Sequence, residues 1–192
     1  MSRILITGGA GYVGSLLTIN LERLGHEVLI YDTCFYGKDH IQTSAKLKLI
    51  EGDIRDKNKF ESAVQGCDIV IHLACISNDP TFELNPDISK EVNFHCFEPI
   101  VRLSKENGVK KFIYASTCSV YGISDNPNVT EEHPLVPITD YNKYKAACEP
   151  ILKKYLDDDF HGIIIRPATI CGFSEKMRFD LTVNILTAAN FW

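Results

Sequence analysis

Near its start the chain carries an apolar run of β character, Ile4-Leu5-Ile6, that meets three glycines spaced Gly8-x-x-Gly11-x-x-Gly14. An amphipathic run from Leu16 to Leu24 follows directly. That order prescribes a strand, a tight turn and a helix. Glycine at 8 permits the turn, at 11 it leaves the backbone open to close approach, and at 14 it lets the helix pack close to the sheet. The first N–H groups of a helix have no partner within it and lie at the positive end of its dipole. Tyr12, Val13 and Gly14 therefore form, with Gly8 and Gly11, a site for a pyrophosphate. Asp32 closes a second apolar run, Val28-Leu29-Ile30-Tyr31. An acid there accepts hydrogen bonds from an adenosine ribose. A glycine turn alone is compatible with no ligand; the turn, its place between strand and helix, and the acid together predict dinucleotide binding. The acid repels a 2′-phosphate and no arginine follows nearby, which favours NAD over NADP.

Beyond this unit the pattern alternates. Strands are predicted over 3–7, 27–32, 46–51, 68–73, 111–116 and 162–166, and helices over 12–24, 57–64, 87–107, from about 140, and over 178–189. Gly25 is the expected stop of the first helix. A loop is expected over 74–86, Pro99 is expected to kink or interrupt the long helix, and Pro150 to punctuate the one after it from beyond its end. The runs Ile69-Val70-Ile71 and Ile163-Ile164-Ile165 suit a parallel sheet buried on both faces. Alternation implies right-handed crossovers. The expected fold is α/β, a Rossmann-type doubly wound parallel sheet in three layers, with ligands at the carboxyl ends of the strands.

A net charge of −5 with no basic cluster argues against a nucleic-acid or anionic-membrane surface. No apolar run approaches a membrane span and nothing resembles a signal peptide, so the cytoplasm is expected. The seven cysteines include no Cys-x-x-Cys pair and no short Cys/His cluster. They read as reduced thiols, and no metal is expected.

Tyr141 and Lys145 stand four apart on a predicted helix and so share one face. A free phenol is a poor base at neutral pH, and a neighbouring ammonium lowers its pKa. The pair makes a proton acceptor for a hydroxyl undergoing oxidation, although the spacing alone also fits a plain surface contact. Upstream lies the hydroxyl-rich segment Ser116-Thr117-Cys118-Ser119. Each of its three hydroxyls can hold a reacting oxygen, and two of the three are expected only to cap backbone groups.

Thr7-Gly8-x-x-Gly11-x-x-Gly14, Asp32, Gly52-Asp53-Ile54, His72-Leu73-Ala74, Ser116-Thr117-x-x-Val120-Tyr121-Gly122, Tyr141-x-x-x-Lys145 and Arg166-Pro167-Ala168 occur in this order. In this the chain resembles the extended short-chain dehydrogenase/reductase family, in its branch of NAD-dependent sugar-nucleotide epimerases and dehydratases. The resemblance implies catalytic roles for Thr117 and for Tyr141 as base, with Lys145 holding the nicotinamide ribose and tuning the phenol. It implies that Asp53 and Ile54 border the adenine, that Leu73, Ala74 and Cys75 line the cofactor path, and that Pro167 lies near the nicotinamide. It implies NAD as cofactor, a nucleotide sugar as substrate, a role in carbohydrate biosynthesis, and a homodimer through the helices after the fourth and fifth strands.

Three departures qualify this. The family's 4,6-dehydratases carry Asp-Glu after the catalytic threonine, where this chain has Cys118-Ser119, so dehydration is disfavoured against epimerisation or reduction. Thr169 stands where many members have the asparagine that contacts the substrate diphosphate. Family members also run on the order of 100 residues further. An NAD-binding domain is therefore expected over 1–175, with an incomplete start of a substrate lobe over 176–192 that ends at Asn190-Phe191-Trp192. Competing readings are an NAD-binding module without turnover, a truncated fragment, and a family fold used as an interaction surface.

Overall fold

The computed structural model describes residues 1–77 and 79–190; Phe191 and Trp192, singled out in the sequence, lie outside them. Six strands form one parallel sheet: β1 (Arg3–Thr7), β2 (Glu27–Asp32), β3 (Leu47–Glu51), β4 (Ile69–His72), β5 (Lys111–Ala115) and β6 (His161–Ile165). Their order is β3-β2-β1-β4-β5-β6. The chain first steps from β1 outward to β3, then returns to lay β4 on the other side of β1. The order thus reverses between β1 and β4, and in such sheets the crevice at that reversal receives ligands. The register sets Thr7 beside Tyr31 and His72, and His72 beside Tyr114, so the carboxyl ends of the central strands lie level.

Alternation along the strands divides the core in two. Leu5, Leu29, Val70 and Phe112 face one way and pack with Phe60 of α2 (Lys57–Val64), Phe97 and Ile100 of α5 (Phe97–Glu106) and Leu152 of α6 (Asp140–Tyr155). Ile4, Ile6, Val28, Ile30 and Ile71 face the other way, toward Leu17 and Leu21 of α1 (Tyr12–Arg23). Helix, sheet and helix give the three expected layers. Gly25 follows α1 at φ +92°, the left-handed stop read from the sequence. β6 departs from expectation. As an edge strand its Ile163 and Ile165 stay 42% and 49% exposed, so this apolar run is covered on one face only.

The region expected as a loop and one long helix contains more structure. α3 (Asp79–Leu84) lies within the supposed loop, and α4 (Pro86–Lys90) opens with the Asn85 side chain accepting the Ile88 N–H at 3.1 Å. The break in the long helix is a π turn over Glu91–His95, ahead of Pro99. Pro99 sits in the first turn of α5, where a missing N–H costs little. Pro150 lies inside α6 rather than beyond it. The helix continues past it because Cys148, Glu149 and Leu152 are buried on its inner face, while Pro150 itself faces solvent. The last helix, α7, runs only over Thr182–Ala189.

Candidate active site

The glycine turn leaves β1 at Thr7. Gly8 has φ +73° and donates its N–H to Tyr31 O at 2.9 Å; a Cβ there would lie 2.6 Å from Ala74 N, after β4. No other residue type fits that approach without displacing the backbone. A Cβ on Gly14 would lie 2.5 Å from Gly9 Cα and 2.6 Å from Gly8 O. The contact Gly14 admits is therefore with the turn itself, which corrects the expected approach of helix to sheet. Gly11 is the N-cap of α1 and offers no side chain to the N–H groups of Tyr12, Val13 and Gly14, which stay available to an anion. Asp32 Oδ2 accepts the Ala10 N–H at 3.0 Å and Oδ1 the Cys34 N–H at 2.9 Å. Those bonds aim the carboxylate across the turn and leave half its acceptor positions for hydroxyls. The groups present suit a dinucleotide: donors for a diphosphate, acceptors for a ribose.

Other residues assigned to the cofactor path take definite places. Leu73 N–H reaches Thr7 O at 3.0 Å and Ala74 N–H reaches Thr7 Oγ1 at 3.4 Å, which fixes the segment leading to half-buried Cys75. The Asp53 carboxylate is held by Arg55, including an Nη2 contact of 2.5 Å, and this pairing keeps its pKa below the usual range. Ile54 is buried beside it. The side chain of Tyr12 turns away from the turn toward Gly172 and Asn184.

At the adjoining strand end, Thr139 caps α6 and accepts the Asn142 N–H at 3.3 Å. Lys145 is only 3% exposed; its Nζ donates to Ala115 O at 2.7 Å and lies 5.0 Å above the Tyr114 ring. Burial pushes the Tyr141 phenol well above its ordinary pKa of 10, nearby Cys75, Asp79 and Cys118 push the same way, and Arg178 opposes them. The expected lowering by Lys145 is not seen, because burial outweighs it and the ammonium is drawn to the end of β5. The cation acting against burial is Arg178, which the sequence reading did not single out.

Thr117 Oγ1 accepts the Ser119 N–H at 3.2 Å and opens the short 3-10 turn Cys118–Tyr121, which leaves its own proton to donate. Cys118 N–H bonds Pro167 O at 2.9 Å, bringing Pro167 against the threonine segment. Ser116 is engaged elsewhere: buried, it lies 2.8 Å from Glu149 Oε1. Glu149 in turn pairs with Arg166, which reaches the Tyr121 hydroxyl at 2.8 Å. His72, between Thr7 and Lys145, has its pKa pushed down by burial to about 3 and is neutral; its Nδ1 lies 2.8 Å from Thr7 Oγ1.

Two further groups escaped the sequence. Asn93, in the π turn, accepts the Ile76 N–H at 2.8 Å and donates to Ile76 O at 2.9 Å, bracing the segment after Cys75. Glu149 is buried and ion-paired beneath the site. Its only signal was its place one helical turn beyond Lys145.

The profile of the "NAD dependent epimerase/dehydratase family" matches residues 4–190. A UDP-glucose 4-epimerase of Rhizobium meliloti is 27% identical over 89% of this chain and 52% of its own length. A UDP-N-acetyl-alpha-D-glucosaminuronate decarboxylase of Bacillus cytotoxicus is 34% identical over 80% of this chain and 48% of its own length. The crystal structure of a UDP-glucose-4-epimerase from Stenotrophomonas maltophila, with bound NAD and formylated UDP-arabinopyranose, superposes with a TM-score of 0.80 at 25% identity, over 86% of this chain and 52% of that one. The chain spans about half the length of the relatives it matches. Fold, motif order and profile agree that the chain belongs to the NAD-dependent epimerase/dehydratase family, whose cofactor is NAD.

Proposed function

We propose that the chain is the cofactor-binding part of an NAD-dependent epimerase acting on a nucleotide sugar. The observation that carries this reading is that the open helix start at Tyr12–Gly14 follows β1 and the Thr117 hydroxyl, with its proton free, follows β5, so both stand at the carboxyl end of the sheet, where the buried Tyr141 phenol is the candidate base. In it, the N–H groups of Tyr12, Val13 and Gly14 hold the diphosphate, with Gly8 and Gly11 giving it room. Asp32 holds the adenosine ribose, Asp53 and Ile54 border the adenine, Leu73, Ala74 and Cys75 line the path, and Pro167 lies beside the nicotinamide. NAD supplies a hydride acceptor that can give the hydride back. Tyr141 takes the proton of a sugar hydroxyl as that carbon is oxidised, and Thr117 donates a hydrogen bond to the same oxygen. Lys145, anchored at Ala115 O, holds the cofactor ribose. Return of the hydride to the other face of the keto carbon, with the proton going back from Tyr141 to its oxygen, would complete an epimerisation.

Epimerisation is favoured over dehydration because elimination of water needs an acid and a base, and Cys118 and Ser119 follow Thr117. A second reading is an NAD-binding module without turnover, over the half of its relatives' length that the chain spans. In both, residues 1–175 are the NAD-binding domain and 176–192 the start of a substrate lobe. A homodimer through α5 and α6, a cytoplasmic place and a part in carbohydrate biosynthesis belong to the same proposal; sedimentation would read the dimer. The test is turnover on a panel of nucleotide sugars at saturating NAD, beside a separate NAD titration. Turnover supports the epimerase, NAD binding without turnover leaves the module, and no NAD binding removes both.

A further inference from the structure

The segment over 172–184 is attached to the dinucleotide turn in an unusual way. α7 buries its Asn184 while Val183, Ile185 and Leu186 are 50%, 49% and 59% exposed. Burial of aliphatic side chains therefore does not fix this helix, as it does most surface helices. Polar contacts do. Asn184 Oδ1 accepts the Gly172 N–H at 3.0 Å, and its Nδ2 donates to Arg178 O at 2.9 Å and to the Tyr12 hydroxyl at 3.1 Å. The Tyr12 hydroxyl donates in turn to Gly172 O at 2.7 Å. Buried Ser174 donates from Oγ to Tyr12 O at 2.8 Å and lies 2.8 Å from Ser15 Oγ.

Tyr12 is thus shared. It is the first residue of α1, whose main-chain N–H opens on the diphosphate position, and its hydroxyl is a node of the strap over 172–184. The strap's other limb carries Arg178, whose Nη1 donates to Ser77 Oγ at 2.9 Å, on the segment after Cys75. One stretch of chain therefore joins the start of α1 to the segment after Cys75, and Arg178 and Cys75 both act electrostatically on the Tyr141 phenol. We propose that Tyr12 and Asn184 are positioning residues that couple cofactor binding to the order of this strap, so that NAD fixes Arg178 beside the Tyr141 phenol, at the mouth of the proposed substrate site, and the fixed strap tightens NAD. It rests on the NAD reading of the same turn and extends it from binding to control of the mouth. The reciprocity is thermodynamic: whatever NAD does to the strap, the strap does to NAD.

Hydrogen–deuterium exchange of the amides over 172–184, with and without saturating NAD, tests this in the full chain, beside calorimetric NAD affinities. In the native chain NAD should slow strap exchange roughly three- to tenfold, the scale of one or two hydrogen bonds. In Tyr12→Phe the slowing should fall within about twofold, and NAD should bind more weakly by a similar factor to the protection lost. Asn184→Ser removes the same node from the strap side and should behave alike, which guards against a folding defect in either variant. Strap exchange indifferent to NAD in a chain that binds it overturns the coupling alone. So does a variant whose exchange quickens equally with and without NAD, the sign of a merely structural tyrosine. A native chain that binds no NAD overturns the coupling and the cofactor reading together.

Discussion

For the Tyr141 hydroxyl, burial and the nearby Cys75, Asp79 and Cys118 favour the neutral phenol, and Arg178 favours the phenolate. The work as a base proposed for it therefore depends on positive charge brought to the mouth rather than on Lys145. Tyr141→Phe should reduce any turnover by at least about 100-fold, the usual worth of a proton-transfer group, and leave NAD affinity within a few-fold; equal turnover in that variant would remove the tyrosine from its role. A second residue sets a pH dependence. Unfolded, His72 takes up a proton below about pH 6.5; folded, it does so only near pH 3. Its stabilising contribution is complete above pH 6.5 and is lost on acidification between 6.5 and 3, with a slope approaching 1.4 kcal/mol per pH unit, about one proton. Urea unfolding of the native chain and His72→Gln at several pH values should show the variant's slope reduced by about that amount. A helix period singles out Tyr141 and Lys145, and the resemblance singles out Thr117, as the candidates for the proposed roles. That Ser116 is consumed by Glu149 could not be read from either, since the contact spans 33 residues and needs the fold to exist first.

Among the elements, the glycine turn and the π turn carry the site's precision. Gly8→Ala would place a methyl 2.6 Å from Ala74 N at a positive φ. We expect a loss of about 2–4 kcal/mol on denaturant unfolding, or failure to fold, since both strain and overlap act there. Asn93→Ala would leave the Ile76 N–H and carbonyl without their partner, costing about 1–3 kcal/mol and lowering the urea midpoint with little change in slope. All six strands, and α1 and α2, lie within one residue of where their apolar periods put them. The π turn was hidden because nothing in its residue pattern differs from a helix; the bond from Asn93 back to Ile76 distinguishes it, and that is tertiary. Pro150 misled for the complementary reason. Its cost to α6 is real, but a buried face of Cys148, Glu149 and Leu152 outweighs it.

For the whole molecule, the glycine turn, Asp32 and the segment after His72 leave the carboxyl ends of β1, β2 and β4, around the reversal of strand order between β1 and β4. Doubly wound sheets bind at that end because strands on either side of the reversal send their connections to opposite faces and open a crevice between them. Alternation in the sequence was enough to predict this architecture. The open face of β6 was not predicted, since an isoleucine run reads alike in a central strand and at an edge. The account stands on NAD bridging that crevice. A crystal structure of the chain grown with NAD tests this most directly: the diphosphate should lie on the N–H groups of Tyr12, Val13 and Gly14, the adenosine ribose on Asp32, and the nicotinamide beside the Tyr141 hydroxyl. A cofactor bound elsewhere, or a nicotinamide directed away from Tyr141, would contradict it.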